Sequence, residues 1–185
     1  MSLFGDKNSF AMEVSKDKFA YQLSLFIEGK DILQFEIKGG VYPHRWSDFD
    51  DIIEWFEENM EHILSEEPLS IMVLGNSTVE RYKNCYKSEL KISEAEMLSD
   101  WSFRHSWFSA REGAFLAGVI FQNVNGKVEI SWDNTELFKQ EGVRYIFPKG
   151  RYEIDKEQFE KIVEEFCLAY KQLRIEASNT NQSKA

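Results

Sequence analysis

Between Ser47 and Glu67, apolar side chains recur at Phe49, Ile52, Ile53, Phe56, Met60, Ile63 and Leu64, the spacing of a helix with one apolar stripe. The same stretch holds nine carboxylates (Asp48, Asp50, Asp51, Glu54, Glu57, Glu58, Glu61, Glu66, Glu67) and no lysine or arginine. Such a helix can sit only one way, with its stripe on a core and its acids in water. Ser47 suits the N-cap, with Asp50 at N3, and Pro68 closes the segment. The row carries most of the formal net charge of −10. Charge of one sign on a rigid element repels nucleic acid and lipid headgroups. It attracts basic partners over about 8 Å, the Debye length in physiological salt. Asp51, Glu54, Glu57, Glu58 and Glu61, with Trp55 at the edge of the stripe, are therefore the candidate partner-binding residues.

The rest of the chain is rich enough to bury a core. Of 185 residues 43% are hydrophobic and 15% aromatic, which fits a single domain over residues 1–176. Residues 177–185 are mostly polar and read as a flexible tail. A basic region followed by an apolar run is missing at the start, and no apolar stretch reaches membrane-spanning length, so the expectation is a cytoplasmic protein that engages no membrane. Cys85 and Cys167 are far apart in helix-like segments and read as buried free thiols.

Residues 10–14, 21–27 and 32–37 read as a meander of strands turning at Glu28-Gly29, with Gly39-Gly40 ending the third. Ser77 with Glu80, and Ser93 with Glu96, open helical segments over 77–88 and 93–110. Strands return over 115–123, turn at Asn125-Gly126, and continue with Val128, Ile130 and Trp132 alternating with Glu129, Ser131 and Asp133; a further strand spans 143–147. A last amphipathic helix starts near Asp155. Together these predict an α+β fold, an antiparallel sheet of about six strands with helices packed on one face.

Ionisable groups cluster around residues 101–134. If the helix ending near Arg111 lies over the following hairpin, then Arg104, His105, Arg111, Glu129 and Asp133 form a charged pocket walled by Trp101 and Trp132. The plainer reading is that the arginines pair with carboxylates and His105 bonds a neighbouring element. Glu36-Ile37-Lys38 has the spacing of a metal-dependent nuclease strand, but its one upstream acid, Asp17, lies in a polar turn, and the net charge opposes a nucleic-acid substrate. His44, His62 and His105 are scattered, with no zinc spacing, and nucleotide-binding glycine loops and a nucleophile elbow are missing. No metal, cofactor or catalytic residue is expected. Gly75-Asn76-Ser77 reads equally as an anion site or as an ordinary capped turn.

Arg104-His105, then Ala110-Arg111-Glu112-Gly113, a strand, and Val128-Glu129-Ile130-Ser131-Trp132-Asp133 together resemble a segment of uncharacterised bacterial proteins of similar size. It also resembles the domain ahead of some ImmA/IrrE-type metallopeptidase regulators. The likeness covers residues 101–134 and extends more loosely to the acidic helix with its Glu54-Trp55 pair. Some such proteins look like immunity partners in toxin or phage-defence neighbourhoods. The resemblance implies a non-enzymatic domain in bacterial conflict or regulation, with no catalytic residues to carry across and no peptidase half. This chain has Ala117 where the related proteins usually have a proline.

Two functions follow as expectations. In the first, an immunity-type, antitoxin-like protein uses the acidic helix to cover the basic site of a toxin. In the second, a regulatory or sensor domain of a defence system holds a small ligand near His105, Arg111, Glu129 and Asp133.

Overall fold

Two-residue turns decide which strands of this chain pair. The computed structural model describes residues 2–110 and 114–182. At Glu28-Gly29, Lys38-Gly39 and Asn125-Gly126 both residues have positive φ, the backbone that matches the twist of a hairpin and that glycine adopts freely. The first sheet is antiparallel: β1 (Ser2–Gly5), β2 (Phe10–Lys16), β3 (Tyr21–Ile27) and β4 (Lys30–Asp31), with β7 (His44–Trp46) also on β3. A small second sheet orders β10 (Arg144–Tyr145), β5 (Phe35–Ile37) and β6 (Gly40–Tyr42). The third orders β11 (Lys149–Asp155), β9 (Lys127–Asp133) and β8 (Ile120–Val124). The helices are α1 (Asp50–Ser65), α2 (Thr78–Cys85), α3 (Ile92–His105) and α4 (Lys156–Gln182).

The mixed, antiparallel character matches the sequence reading, whereas the single sheet of about six strands does not. The expected strand over 32–37 splits because the Asp31 carboxylate accepts the backbone N–H groups of Leu25 and Leu33, turning the chain out of the first sheet before β5. Burial raises the Asp31 carboxyl above its ordinary range. The helices are also not confined to one face. On the third sheet, Phe121, Val128, Ile130 and Trp132 join the main core with α1 and α4, while Ile120 joins a second cluster with Val79 of α2 and Leu98 and Trp101 of α3. Helix α4 also contacts β1 and β2, so it links the first sheet to the third. Its backbone stays helical through Gln182, across most of the polar stretch expected to be a loose tail.

Helix α1 begins two residues later than Ser47 as N-cap suggests, and its cap is tertiary. The Tyr170 hydroxyl of α4 accepts the Phe49 N–H at 2.6 Å and donates to Asp50 at 2.7 Å. Helix α2 is capped as expected, with Ser77 accepting the Glu80 N–H. Helix α3 starts at Ile92 rather than Ser93; Glu94, not Glu96, accepts the flanking Lys91 N–H, and the helix gives way to a 3₁₀ turn at Trp107–Ala110. Among the described residues, no helix is long and apolar enough to cross a membrane.

The core centres on Phe121, whose ring lies 5.4–6.0 Å from those of Trp55, Phe56, Trp107 and Phe159. It thereby joins α1, α4 and the turn after α3 to one strand. Phe121→Ala should destabilise the protein by about 3–5 kcal/mol, read as a lower urea midpoint, because the four surrounding aromatic side chains cannot close over the void.

Candidate functional site

The alternation along β9 is real, but its polar positions are not wet. Glu129 and Ser131 are both fully buried, because α2 sits with its N-terminus on that face. Glu129 accepts the Thr78 N–H, and Ser131 Oγ accepts the Val79 N–H at 3.1 Å. Two donors of the first helical turn, unpaired within any helix, are thus satisfied by the sheet. Arg151 Nε lies 2.9 Å from the Glu129 carboxylate and Arg81 3.7 Å away, so the buried charge is offset from two sides.

The other charged residues nominated from sequence are likewise tied up. Arg104 makes a two-pronged bond to Glu66, at 3.0 Å from Nε and 2.7 Å from Nη2. That pairing holds the Glu66 carboxyl at about 2. His105 is fully buried, stacked 4.7 Å from Trp101, with Nδ1 2.8 Å from the Phe121 carbonyl and Nε2 3.2 Å from Glu66. Burial pushes its imidazole below the ordinary range, against the opposing pull of the carbonyl and of Glu66. Trp101 donates to Gln122 at 3.0 Å. Trp132 donates to the Phe147 carbonyl at 2.9 Å and lies flat across Gly150, where any Cβ would enter its ring. These residues assemble an internal framework and do not wall a common pocket; Arg111 lies outside the described residues. Ala117, the departure from the resembling proteins, is buried, and its carbonyl accepts from Trp107 at 2.8 Å.

A cleft of about 450 Å³ opens beside this framework, and of the expected pocket residues that are described it takes only Asp133. Its walls are Val79 and Tyr82 of α2, Phe103 of α3, Phe108, Ile120 and Leu137, with Ser102, Ser106 and Gly118 between them. Polar groups gather at one end. Lys83 Nζ donates to the Asp133 carbonyl at 2.6 Å and lies 3.4 Å from its carboxylate. Burial opposes ionisation of Asp133, but the Thr135 hydrogen bonds and Lys83 outweigh it, leaving the carboxyl below its ordinary range. Asn134 is buried, and its Oδ1 accepts the Gly118 N–H at 2.9 Å, which fixes the amide orientation and leaves Nδ2 with no hydrogen-bond partner among the described residues. Phe103, Ser106, Gly118 and Asn134 are not among the pocket residues expected from sequence. They meet only because the end of α3 crosses the start of β8, where Ser106 bridges Ile120.

The acidic face of α1 is partly spent within the chain. Asp50 binds Arg174 at 2.6 Å, Glu57 binds Lys171 at 2.6 Å, and Glu66 belongs to the Arg104 and His105 framework. Glu54, Glu58 and Glu61 are exposed, with no cation in ion-pair contact among the described residues. Trp55, expected at the edge of the stripe, is instead buried beneath the helix, donating to the Phe103 carbonyl at 2.7 Å. It is therefore a packing residue and not a contact for a partner. Asp51 is exposed.

Cys85 and Cys167 are free and buried, and burial pushes the Cys167 thiol up to about 12. Among the described residues no group of three or more His, Cys, Asp or Glu side chains is placed to hold a metal ion. Glu36 pairs with Arg144 on the small sheet. Comparison with protein-family models, with curated proteins and with solved structures finds no match.

The Glu66 pairing has a consequence for stability against pH. Its carboxyl binds a proton less readily when folded than when unfolded, so its contribution is complete above about pH 4.5 and is lost as pH falls through about 2. Urea midpoints measured across that window should fall with acidification, and Glu66→Gln should flatten this part of the curve.

Proposed function

We propose that this chain is a non-enzymatic binding protein whose small, mostly apolar ligand occupies the cleft bounded by α2, α3 and the strand ends. The observation that carries the reading is the cleft itself, about 450 Å³ with mostly apolar walls and a few polar side chains, of which Lys83, Asp133 and Asn134 lie together. This is the usual composition of a ligand site, in which walls supply affinity and a few polar atoms fix orientation. Lys83, Asp133 and Asn134 are the orienting groups; His105 and Glu129, expected to touch the ligand, instead hold the walls in place. The resemblance to defence-associated proteins makes a sensor or regulatory role in bacterial conflict the natural setting.

A second reading is favoured by a separate observation. Glu54, Glu58 and Glu61 remain exposed on a rigid helix without a paired cation among the described residues, which suits an immunity-type protein that meets a basic toxin or effector through α1. Compared with the sequence expectation, the face is narrower, and it lacks Trp55 as an anchor.

Salt separates the two readings, since docking on α1 weakens with ionic strength and cleft binding does not. Anilinonaphthalene sulfonate should bind the folded chain with one-to-one stoichiometry. A Cβ at Gly118 would meet Asn134 Oδ1 at 3.3 Å and point toward Leu137 and Phe108. Gly118→Leu should therefore fill the cleft and weaken dye binding at least ~10-fold, a loss of about 1.4 kcal/mol, with little change in Tm. Undiminished dye binding by that variant would remove the cleft reading.

A further inference from the structure

Helices α1 and α4 leave a groove of about 300 Å³ between them. Its floor is Phe56 and Met60 of α1 with Val163 and Cys167 of α4. Methionine and cysteine side chains are soft and polarizable, a floor that can adapt to an apolar side chain placed on it. Leu168 stands on the α4 rim with 60% of its surface exposed, and Ile175, two turns further along the same face, is 62% exposed. Lys171 and Gln172 stand between the two, so Leu168 is the exposed apolar side chain at the groove itself.

The rims are acidic. Glu57 and Glu164 line the groove. At about 100° per residue, Glu54 and Glu61 flank Glu57 one turn away on either side, while on α4 both Glu160 and Lys161 precede Glu164 by about one turn, Lys161 lying 4.0 Å from Glu165, so the excess of acid is on the α1 rim. Lys171 is the one cation lining the groove among the described residues, and Glu57 already binds it at 2.6 Å.

We infer that this groove is the docking site for a basic amphipathic helix presented by a partner protein. The inference rests on the reading of α1 as a partner-binding face and says how such a partner would engage it. A groove running between two helix axes accepts a third helix, whose apolar stripe takes the floor and Leu168 while flanking lysines or arginines reach both rims. A second copy of this chain is disfavoured as occupant, because it would set acidic rim against acidic rim.

The test is fluorescence anisotropy with the full chain and two labelled synthetic peptides of one composition. One has leucines at i, i+3, i+4 and i+7 with lysines elsewhere; the other has the same residues scrambled so that no stripe forms. The patterned peptide should bind at least ~10-fold more tightly than the scrambled one. Leu168→Glu should weaken it at least ~10-fold even though the substitution adds negative charge, and Glu61→Lys at least ~5-fold, with a reduced dependence on salt. Equal binding of the two peptides, or indifference to Leu168→Glu, with loss on Glu61→Lys, overturns the groove while leaving the acidic face as a general attractor. Lack of binding, or binding indifferent to Glu61→Lys, overturns both.

Discussion

Along β8 and β9 helices cover both faces of the third sheet, so a polar side chain there has little water to turn to and needs a protein partner, whereas β11 keeps one face in solvent. That constraint organises the half of the molecule that holds the cleft. Glu129 and Ser131 meet it by receiving the first N–H groups of α2, and Gln122 by accepting from Trp101 of α3. The cost of stranding one buried polar group, about 1–3 kcal/mol, is what orients both helices on that face. With α2 and α3 so fixed, and the end of α3 bridged to β8, the gap between them becomes a permanent opening. The cleft follows from polar groups satisfied around it, while its own walls stay mostly apolar.

The acidic helix is under a different constraint. Repulsion among its carboxylates is relieved where α4 brings Arg174 and Lys171 and where α3 brings Arg104. These contacts are mostly half-exposed, and exposed pairs contribute little singly. What they do is choose which acids stay available. Asp50, Glu57 and Glu66 serve the fold, and the middle of the outer face is left to the solvent or to a partner.

Elements with one strong period were legible in the sequence. The stripes of α1 and α4 and the turns at Glu28-Gly29 and Asn125-Gly126 depend on local spacing, and the structure holds them. Where a non-local group intervenes, local spacing does not set the element's boundary. Ser47 gave way to a hydroxyl on α4 as the cap of α1, and Asp31 diverted a strand into another sheet. The site illustrates the same limit. Arg104, His105 and Glu129 stand out as ionisable residues near aromatics, yet that pattern cannot separate a ligand contact from a framework whose charges neutralise one another. Phe103, Gly118 and Asn134 carry no local mark, because only the crossing of α3 over β8 brings them together.

The Tyr170 hydroxyl closes the start of α1 across 121 positions of chain, and α4 at the same time lies against β1 and β2. Contacts this remote in sequence are slow to form and cannot form before α4 has been made. During synthesis the early hairpins and α1 must therefore wait, with apolar faces uncovered, until α4 has cleared the ribosome. For this architecture the interval between translation of α1 and of α4 is the period of greatest exposure to aggregation and to chaperone capture.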